Sequence, residues 1–262
     1  MTSSSDHESP YTMPPIKYIV AIASGKGGVG KSTVTANLAR SLAALGHRVG
    51  IMDADIYGPS IPHMLACSGK PALNDKNQMI PHESHGIYSN SIGYLIGNST
   101  AASWRGPMAS KALFQLFFQT AWPDLDYLLI DMPPGTGDIQ LSLASKIPVS
   151  CAVLITTPQE ISCMDVRKAA DLFSKVKIPV IGLIENMSYF EEPASHTRHY
   201  LFGKDGGKIL ANELHIPFIG GIAIDPTLTA AADAGNVQSH PAFETITRFL
   251  AEKLPTRPHH AA

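Results

Sequence analysis

The sequence predicts a single α/β domain, built on a mostly parallel sheet with helices on both faces. Short apolar runs alternate with helical patterns along the chain, and this alternation is typical of parallel sheets covered on both sides. The strand-like runs are apolar at successive positions, as expected of strands buried on both faces. Polar clusters follow these runs, and in such sheets ligands bind beyond the carboxyl ends of the strands.

The first predicted elements are a strand and a helix on either side of a glycine-rich loop. The run Tyr18–Ala23 (YIVAIA) is apolar throughout, which favours a central parallel strand. The helix after the loop has Leu38, Leu42 and Leu45 at helical spacing. Gly46 then stands where a C′ glycine ends a helix.

Further strands are predicted where apolar runs end in polar residues, and a last helix is predicted over Ala242–Leu254. The least regular segments are Asn74–Tyr88 and Gly97–Pro107, where we expect long functional loops. The predicted strands are Val49–Met52 before Asp53, Tyr127–Ile130 before Asp131, Cys151–Ile155 before Thr156, and Val180–Ile184 before Glu185.

The chain has no internal repeat and no linker that would divide it, so one domain over residues 16–255 is predicted. Residues 1–15 are polar and carry neither a signal-peptide core nor an Arg-rich transit pattern, so we expect a disordered arm. Residues 256–262 are expected to form a flexible tail.

Composition excludes several classes of function. Hydrophobic residues make up 44% and charged residues 16%, with a net charge of −2, which is ordinary for a globular protein and offers no polyanion-binding surface. We therefore expect no nucleic-acid partner. No apolar run is long enough to span a bilayer, so no stable membrane association is expected. The three cysteines form no CxxC pair, which suits a reducing cytoplasm.

The stretch SGKGGVGKST at residues 24–33 is the strongest motif. Gly25 and Gly30-Lys31-Ser32 fit the pattern G-x4-G-K-[ST] between a strand and a helix, which makes this a P-loop NTPase domain. Lys31 is predicted to bridge the β- and γ-phosphates, and the Ser32 hydroxyl to ligate Mg²⁺. The predicted phosphate-binding residues are Gly25, Lys26, Gly27, Gly28, Val29, Gly30, Lys31, Ser32 and Thr33.

Carboxylates at two strand ends complete the predicted site. Asp131 is expected to orient Mg²⁺ and its waters, and Gly135 in the following PPGTGD to offer an amide to the γ-phosphate. One of Asp53 and Asp55 would position the attacking water while the other supports the metal's water shell. We favour Asp55 for the water and Asp53 for the metal.

The base is predicted to be adenine. The chain has no NKxD-type guanine motif, and Asn186 at a strand end presents both a donor and an acceptor. Asn186 is either a reader of the adenine edge or a turn-forming residue. ATP is therefore the expected nucleotide.

These motifs together resemble the Mrp/ApbC family of iron–sulfur cluster carrier ATPases. That family lies within the MinD/ParA/nitrogenase-iron-protein class, which has a deviant Walker A loop. The resemblance covers residues 16 to 240. It rests on the loop of residues 26–32 and on DADIYGPSIP (53–62), WRGPM (104–108), DYLLIDMPPGTGD (126–138), TTPQE (156–160), ENMSYF (185–190), LFGKDGG (201–207) and IPFIGGIAID (216–225).

The resemblance implies a homodimeric ATPase that acts in iron–sulfur cluster assembly or transfer to apo-proteins. Partners would be client apo-proteins or other cluster-assembly proteins. By analogy with the class, Lys26 would reach the partner subunit's nucleotide and stabilise transition-state charge. The catalytic residues are then Lys26, Lys31, Asp55 and Asp131.

The sequence departs from the family at its cluster ligands. Family members that carry a 4Fe–4S cluster place a CxxC after ENMS, and two subunits share the four thiolates. Glu192 and Ser195 stand at those positions here, and neither bridges iron as a thiolate does. A metal site on Glu192, His196 and His199, or a solvated polar loop, are the alternatives for this segment. Trp104-Arg105 is expected either to pack against the nucleotide or to form a partner surface.

Two other functions use the same phosphate chemistry. A MinD/ParA-like positioning ATPase would need a basic amphipathic last helix or a basic DNA-facing surface. The last helix holds Arg248 and Lys253 balanced by Glu244 and Glu252. A reductase resembling the nitrogenase iron protein would need the interfacial cysteines that this chain lacks.

Overall fold

A computed structural model describes residues 12–95, 106–238 and 240–254. The predicted arm overlaps this part of the chain only at residues 12–15. The predicted tail at 256–262 lies outside the described residues, as does Trp104-Arg105. No helix in the described part is both long enough and apolar enough to cross a bilayer.

The strands form one large sheet and one small hairpin. In the described residues the large sheet has eight strands in the order β10-β7-β6-β1-β5-β2-β4-β3, all parallel to their neighbours except β3. Strands β8 and β9 pair separately and antiparallel. The strands are β1 Ile16–Ser24, β2 Val49–Asp53, β3 His82–Ser84, β4 Ile87–Ser91, β5 Leu125–Asp131, β6 Cys151–Thr156, β7 Val180–Glu185, β8 Phe190–Glu191, β9 Arg198–His199 and β10 Phe218–Gly221.

Helices cover both faces of the sheet. Helices α1, α2 and α9 pack on one face through side chains such as Leu38 and Phe243. Helices α4 to α7 pack on the other face through side chains such as Leu116, Phe173 and Leu210. The helices are α1 Lys31–Ala44, α2 Ile61–Met64, α3 Ile92–Leu95, α4 Gly106–Phe118, α5 Asp138–Lys146, α6 Glu160–Lys175, α7 Gly206–Glu213, α8 Pro226–Asp233 and α9 Pro241–Lys253.

The predicted fold class is confirmed by this architecture, and each predicted strand lies within an observed one. The predicted end of α1 is also observed. Gly46 has φ +88°, its N–H donates to the Ala43 carbonyl, and the His47 N–H donates to the Leu42 carbonyl. These are the two hydrogen bonds of a Schellman C-cap, which a residue without Cβ accommodates.

The segment Asn74–Tyr88 differs from its prediction as one long loop. It contains β3 and the start of β4, which form a short antiparallel pair at the sheet edge. Strand β3 reads His-Glu-Ser and is partly exposed, so it has no apolar run from which a strand is predicted.

The parallel strands bring their carboxyl ends to one edge of the sheet. In the register of β1, β2 and β5, Asp131 lies beside both Ile22 and Asp53. On the other side of β1, Thr156 at the end of β6 lies beside Glu185 at the end of β7. This edge positions every strand-end polar cluster that the sequence singles out.

Candidate nucleotide and metal site

The glycine-rich loop between β1 and α1 wraps a cavity of about 250 Å³. Gly28 and Gly30 have φ +80° and +79°, the left-handed region that glycine adopts without strain. The predicted residues that line the cavity are Lys26, Gly27, Gly28, Val29, Gly30, Lys31, Ser32, Thr33 and Asp55. The loop leads directly into α1, so the positive end of the helix dipole faces the cavity.

Lys31 lies at the bottom of this cavity between two carboxylates. Its side chain is 6% exposed, and its Nζ is 2.8 Å from Asp131 Oδ1 and 3.7 Å from Asp55 Oδ2. Asp131 is fully buried and also accepts hydrogen bonds from Ser32 Oγ at 2.5 Å and Thr35 Oγ1 at 2.9 Å. An ammonium group, a hydroxyl and a carboxylate therefore meet where phosphates and a divalent cation would be held.

Asp53 and Asp55 take different positions although they are two residues apart. Asp55 lines the cavity, and its Oδ1 accepts from the N–H groups of Tyr57 and Gly58. Asp53 is fully buried away from the cavity wall and accepts from Ser91 Oγ at 2.9 Å and from the Asp55 N–H at 3.1 Å. Burial, together with the charge of Asp131, raises the pKa of Asp53 to about 7.

Gly25 and Lys26 connect the loop to the start of α6. A Cβ on Gly25 would lie 2.2 Å from the Asp165 carbonyl carbon, so the close approach of loop and helix requires glycine there. Lys26 is partly exposed, and its Nζ donates to Gln159 Oε1 at 3.5 Å. Lys26 thus lies on the rim of the cavity, whereas Lys31 lies inside it.

The loop after β5 closes another side of the cavity. Gly135 has φ +93°, and its N–H donates to the Ser24 carbonyl at 3.1 Å. The Gln140 side chain donates to the Pro134 carbonyl at 2.5 Å and so fastens this loop to α5. The Gly135 amide therefore lies beside the phosphate loop, and it already donates its hydrogen to the Ser24 carbonyl.

Asn186 lies behind the phosphate loop and beside a second cavity. Its Nδ2 donates to the Val29 carbonyl at 2.9 Å, and this side chain also packs against Gly30. The second cavity has a volume of about 690 Å³ and shares Gly30 and Thr33 with the first. Its wall is mainly apolar and includes Asn186, Met187, Leu201, Ile224, Pro226 and Leu228.

Sequence reasoning missed three contributors to this site. Thr35 lies one helical turn after Lys31, and that spacing alone could have placed its hydroxyl beside Asp131. Gln159 lies within the quoted TTPQE, but the sequence holds no signal that pairs it with Lys26. The apolar wall around Met187 comes from segments far apart in sequence, which only the fold brings together.

The hairpin of β8 and β9 holds the residues predicted at the cluster-ligand positions. Ser195 Oγ donates to Glu192 Oε2 at 2.5 Å, so the two side chains are in direct contact. No group of three or more His, Cys, Asp or Glu residues is arranged to hold a metal ion in the described part of the chain. The alternative metal site on Glu192, His196 and His199 is therefore not formed.

Comparisons with known proteins identify a family. A family model described as "ParA: NUBPL iron-transfer P-loop NTPase" matches residues 15–254. The iron-sulfur cluster carrier protein of Escherichia coli K12 is 50% identical over 246 residues, which cover 91% of this chain and 66% of that protein. The mouse iron-sulfur cluster transfer protein NUBPL is 43% identical over 239 residues, covering 90% of this chain and 75% of that protein.

Solved structures agree with these matches. A nucleotide-binding protein from Archaeoglobus fulgidus in complex with ADP is 39% identical, with a TM-score of 0.79 over 94% of this chain and 95% of that chain. The cell division ATPase MinD of Pyrococcus furiosus is 19% identical, with a TM-score of 0.66 over 90% of this chain and 98% of that chain. The second likeness shows the fold alone.

Proposed function

We propose, since the chain belongs to the NUBPL family of iron-transfer P-loop NTPases, that it binds and hydrolyses Mg-ATP as a homodimer in iron–sulfur cluster assembly. The observation that carries this proposal is the contact of Lys31, Ser32 and Asp131 at the bottom of the loop cavity. These three groups are the cation, hydroxyl and carboxylate that phosphoryl transfer from a nucleotide requires. Partners would be apo-proteins or other cluster-assembly proteins, in the cytoplasm.

The phosphate groups would replace the carboxylates as partners of Lys31. In the described arrangement Lys31 is paired with Asp131, and the loop residues around it line the cavity, where their N–H groups would bind phosphate. Ser32 Oγ and Asp131 Oδ2 are hard oxygen donors of the kind that Mg²⁺ prefers, and they would hold it there. The ion, when bound, supplies positive charge that offsets the charge of the phosphates.

Asp55 would orient the water that attacks the γ-phosphate. Its carboxylate faces the cavity and is kept in place by two backbone N–H groups on one oxygen, so the other oxygen is directed toward Lys31. Asp53 would support this arrangement from within the fold, because it accepts the Asp55 N–H. Water attack on the γ-phosphorus breaks the bond to ADP and releases inorganic phosphate.

Lys26 would act on the nucleotide of the partner subunit. Its ammonium lies on the cavity rim beside Gln159, at a partly exposed position. A positive charge added by a second subunit stabilises the charge that develops in the transition state. Turnover would therefore require a closed dimer.

Adenine would occupy the second cavity. That cavity adjoins the phosphate loop at Gly30 and Thr33, and its apolar wall suits a flat aromatic base. Asn186 lies at the junction of the two cavities with Nδ2 engaged by the Val29 carbonyl, so its side-chain oxygen is the group to accept from the adenine amino group.

A MinD/ParA-like positioning role has less support from the described surface. Helix α9 carries two basic and two acidic side chains, Arg248, Lys253, Glu244 and Glu252, so it presents no basic stripe to a membrane or to DNA. The identity to iron–sulfur carriers is also far higher than the identity to MinD.

The test is a measurement of turnover and association on the same protein. Phosphate release from ATP should require Mg²⁺ and should be lost in Lys31→Ala. Light scattering should show a monomer that becomes a dimer with Mg-ATP, most completely in Asp55→Asn, which binds without hydrolysing. A protein that neither binds Mg-ATP nor changes its mass with it would refute the proposal.

A further inference from the structure

The cysteines of this chain cannot supply a cluster from within the fold. Cys151 lies in strand β6 and packs in the core on the face of the sheet that carries α1 and α9, whereas Cys163 packs in the core on the opposite face. Burial raises the pKa of the Cys151 thiol to about 12 and also raises the pKa of Cys163, which disfavours the thiolate at both positions. Cys67 is partly exposed, but its Sγ donates to the Leu65 carbonyl at 3.4 Å. Each chain therefore offers at most one accessible thiol, and iron–sulfur clusters are held by several thiolates.

The hairpin tip places two side chains together without a metal. The turn between β8 and β9 is closed by the Glu192 N–H to the Thr197 carbonyl at 3.0 Å and by the His196 N–H to the Glu192 carbonyl at 2.9 Å. Across this turn, Ser195 Oγ meets Glu192 Oε2. Both residues are exposed, so groups at these two positions are near each other and accessible.

Ion pairs hold the stem of the same hairpin. Glu191 Oε2 accepts from Arg198 Nε at 3.1 Å, and the Arg198 guanidinium lies 4.3 Å from the centre of the Tyr189 ring. Glu191 Oε1 also contacts His196 Nδ1 at 3.3 Å. These contacts involve neither Glu192 nor Ser195, so the hairpin does not depend on the chemistry of those two side chains for its stem.

We propose that the side chains of this chain do not fit an iron–sulfur cluster, because Glu192 and Ser195 occupy the exposed hairpin tip and two of the three thiols are buried elsewhere. The native chain then holds no iron–sulfur cluster on its own thiols, and any cluster it handles is ligated by cysteines of another protein. Thiolates at the hairpin tip are what the chain lacks, and replacing Glu192 and Ser195 together by cysteine would supply two neighbouring exposed ones per chain, because these two side chains are in contact. This inference rests on the proposed role in iron–sulfur assembly but is independent of ATP turnover.

Anaerobic reconstitution with ferrous iron, sulfide and a thiol reductant tests both parts. Four proteins are compared: native, E192C, S195C and the double variant E192C/S195C. After desalting, the double variant should retain about two iron atoms per chain, one four-iron cluster per dimer, with thiolate-to-iron absorption. The native protein and each single variant should retain only background iron. Cys67 is the one thiol that is not fully buried, and a single accessible thiol per chain does not hold a cluster. C67S should therefore leave the native background unchanged.

Each outcome decides one part of the inference. Stoichiometric iron and sulfide on the native protein would overturn the claim that it lacks a cluster site. Background iron on the double variant, with its fold intact by circular dichroism, would overturn the claim that thiolates at the hairpin tip are what the chain lacks. ATP hydrolysis measured on the same preparations separates these results from the proposed function, since loss of turnover alone would leave the iron results standing.

Discussion

Lys31 has an unusual position for a charged side chain, because it is almost fully buried between Asp55 and Asp131. A buried ion pair offsets its desolvation only when its geometry is good and other donors complete it. Ser32 and Thr35 complete it here by donating to Asp131. Asp55 and its neighbour Asp53 differ in what they add to this centre, and substitutions can separate their roles.

Asp55→Asn should abolish turnover while nucleotide binding stays close to wild type. The carboxylate faces the cavity, and loss of a group that activates a nucleophile lowers the rate by about 10²- to 10⁴-fold. The loop amides and Lys31, which hold the phosphates, are unchanged. Single-turnover phosphate release and fluorescent-nucleotide titration measure the two quantities. A turnover rate within a few-fold of wild type would assign the water to another group.

Asp53→Ala should instead lower stability. The substitution leaves Ser91 Oγ and the N–H groups of Asp55 and Ile61 without their buried acceptor, at a cost of ~1–3 kcal/mol. Urea unfolding should show the loss as a lower midpoint. Asp75→Ala is the matched control, because Asp75 is exposed and its loss should change the midpoint little. Equal midpoints for the two variants would contradict the buried role.

At the scale of elements, Glu185 fastens the hairpin segment to the sheet. It is 2% exposed at the end of β7, and its two oxygens accept from Ser188 Oγ and from the Gly207 N–H. These donors lie at the two ends of residues 187–207, which contain β8 and β9. The next residue, Asn186, donates to the phosphate loop. The hairpin and the loop are therefore joined through two successive residues.

Glu185→Met should loosen the hairpin segment without unfolding the domain. The substitution keeps the volume but leaves two donors unpartnered, at ~1–3 kcal/mol. Hydrogen exchange should become faster at Gly207 and across the hairpin, while β1 and β5 keep their protection. Glu185→Gln is the matched control, because its side-chain oxygen can accept from Gly207 and its amide can donate to Ser188. Unchanged exchange in the methionine variant would contradict this role.

The elements that the sequence predicts are those with a repeated local signal. Tyr18–Ala23 and Val180–Ile184 are apolar at every or nearly every position, and the observed strands extend them by one or two residues. Gly46 has a positive φ, which favours glycine at the end of a helix, so the end of α1 is predictable from the sequence. The edge strand β3 and the β8–β9 hairpin are short, polar and exposed, so no pattern distinguishes them from loops.

The candidate site is predictable to the extent that a motif encodes it locally. The residues of the phosphate loop line the cavity as the motif requires, because the loop's geometry is set within ten residues. The contact of Asp53 with Ser91 depends on β4, and the contact of Lys26 with Gln159 depends on the residue before α6; both partners are distant in sequence. No local sequence pattern predicts such contacts.

At the scale of the whole molecule, the proposed dimer would explain why one loop carries two lysines. Lys31 lies in its own cavity and is paired there, whereas Lys26 lies on the rim, and Gln159 Oε1 is the one hydrogen-bond partner described for its ammonium. A second ammonium on the rim is suited to a pocket that belongs to another subunit. If so, each active site of the dimer combines Lys31 and Asp55 of one chain with Lys26 of the other.

Mixing two inactive variants tests this arrangement, because the trans and cis models predict opposite results. In a dimer of Lys26→Ala with Asp55→Asn, the pocket of the first chain has its own Asp55 and receives Lys26 from the second. Random exchange makes half of the dimers mixed, each with one complete site, so the mixture should recover about a quarter of the wild-type rate. If Lys26 acts in its own chain, both pockets stay incomplete and the mixture stays inactive.

A second mixture, Lys31→Ala with Asp55→Asn, is the control for this experiment. Both lesions lie in groups that serve their own pocket, so the mixed dimer has no complete site under either model. Subunit exchange is followed with two fluorescent labels, which show that a mixture without ATPase activity does contain mixed dimers. Recovery in the first mixture but not in the second assigns Lys26 to the partner's nucleotide and makes ATP turnover a property of the dimer. If neither mixture hydrolyses ATP although subunit exchange is complete, Lys26 acts on the nucleotide of its own chain.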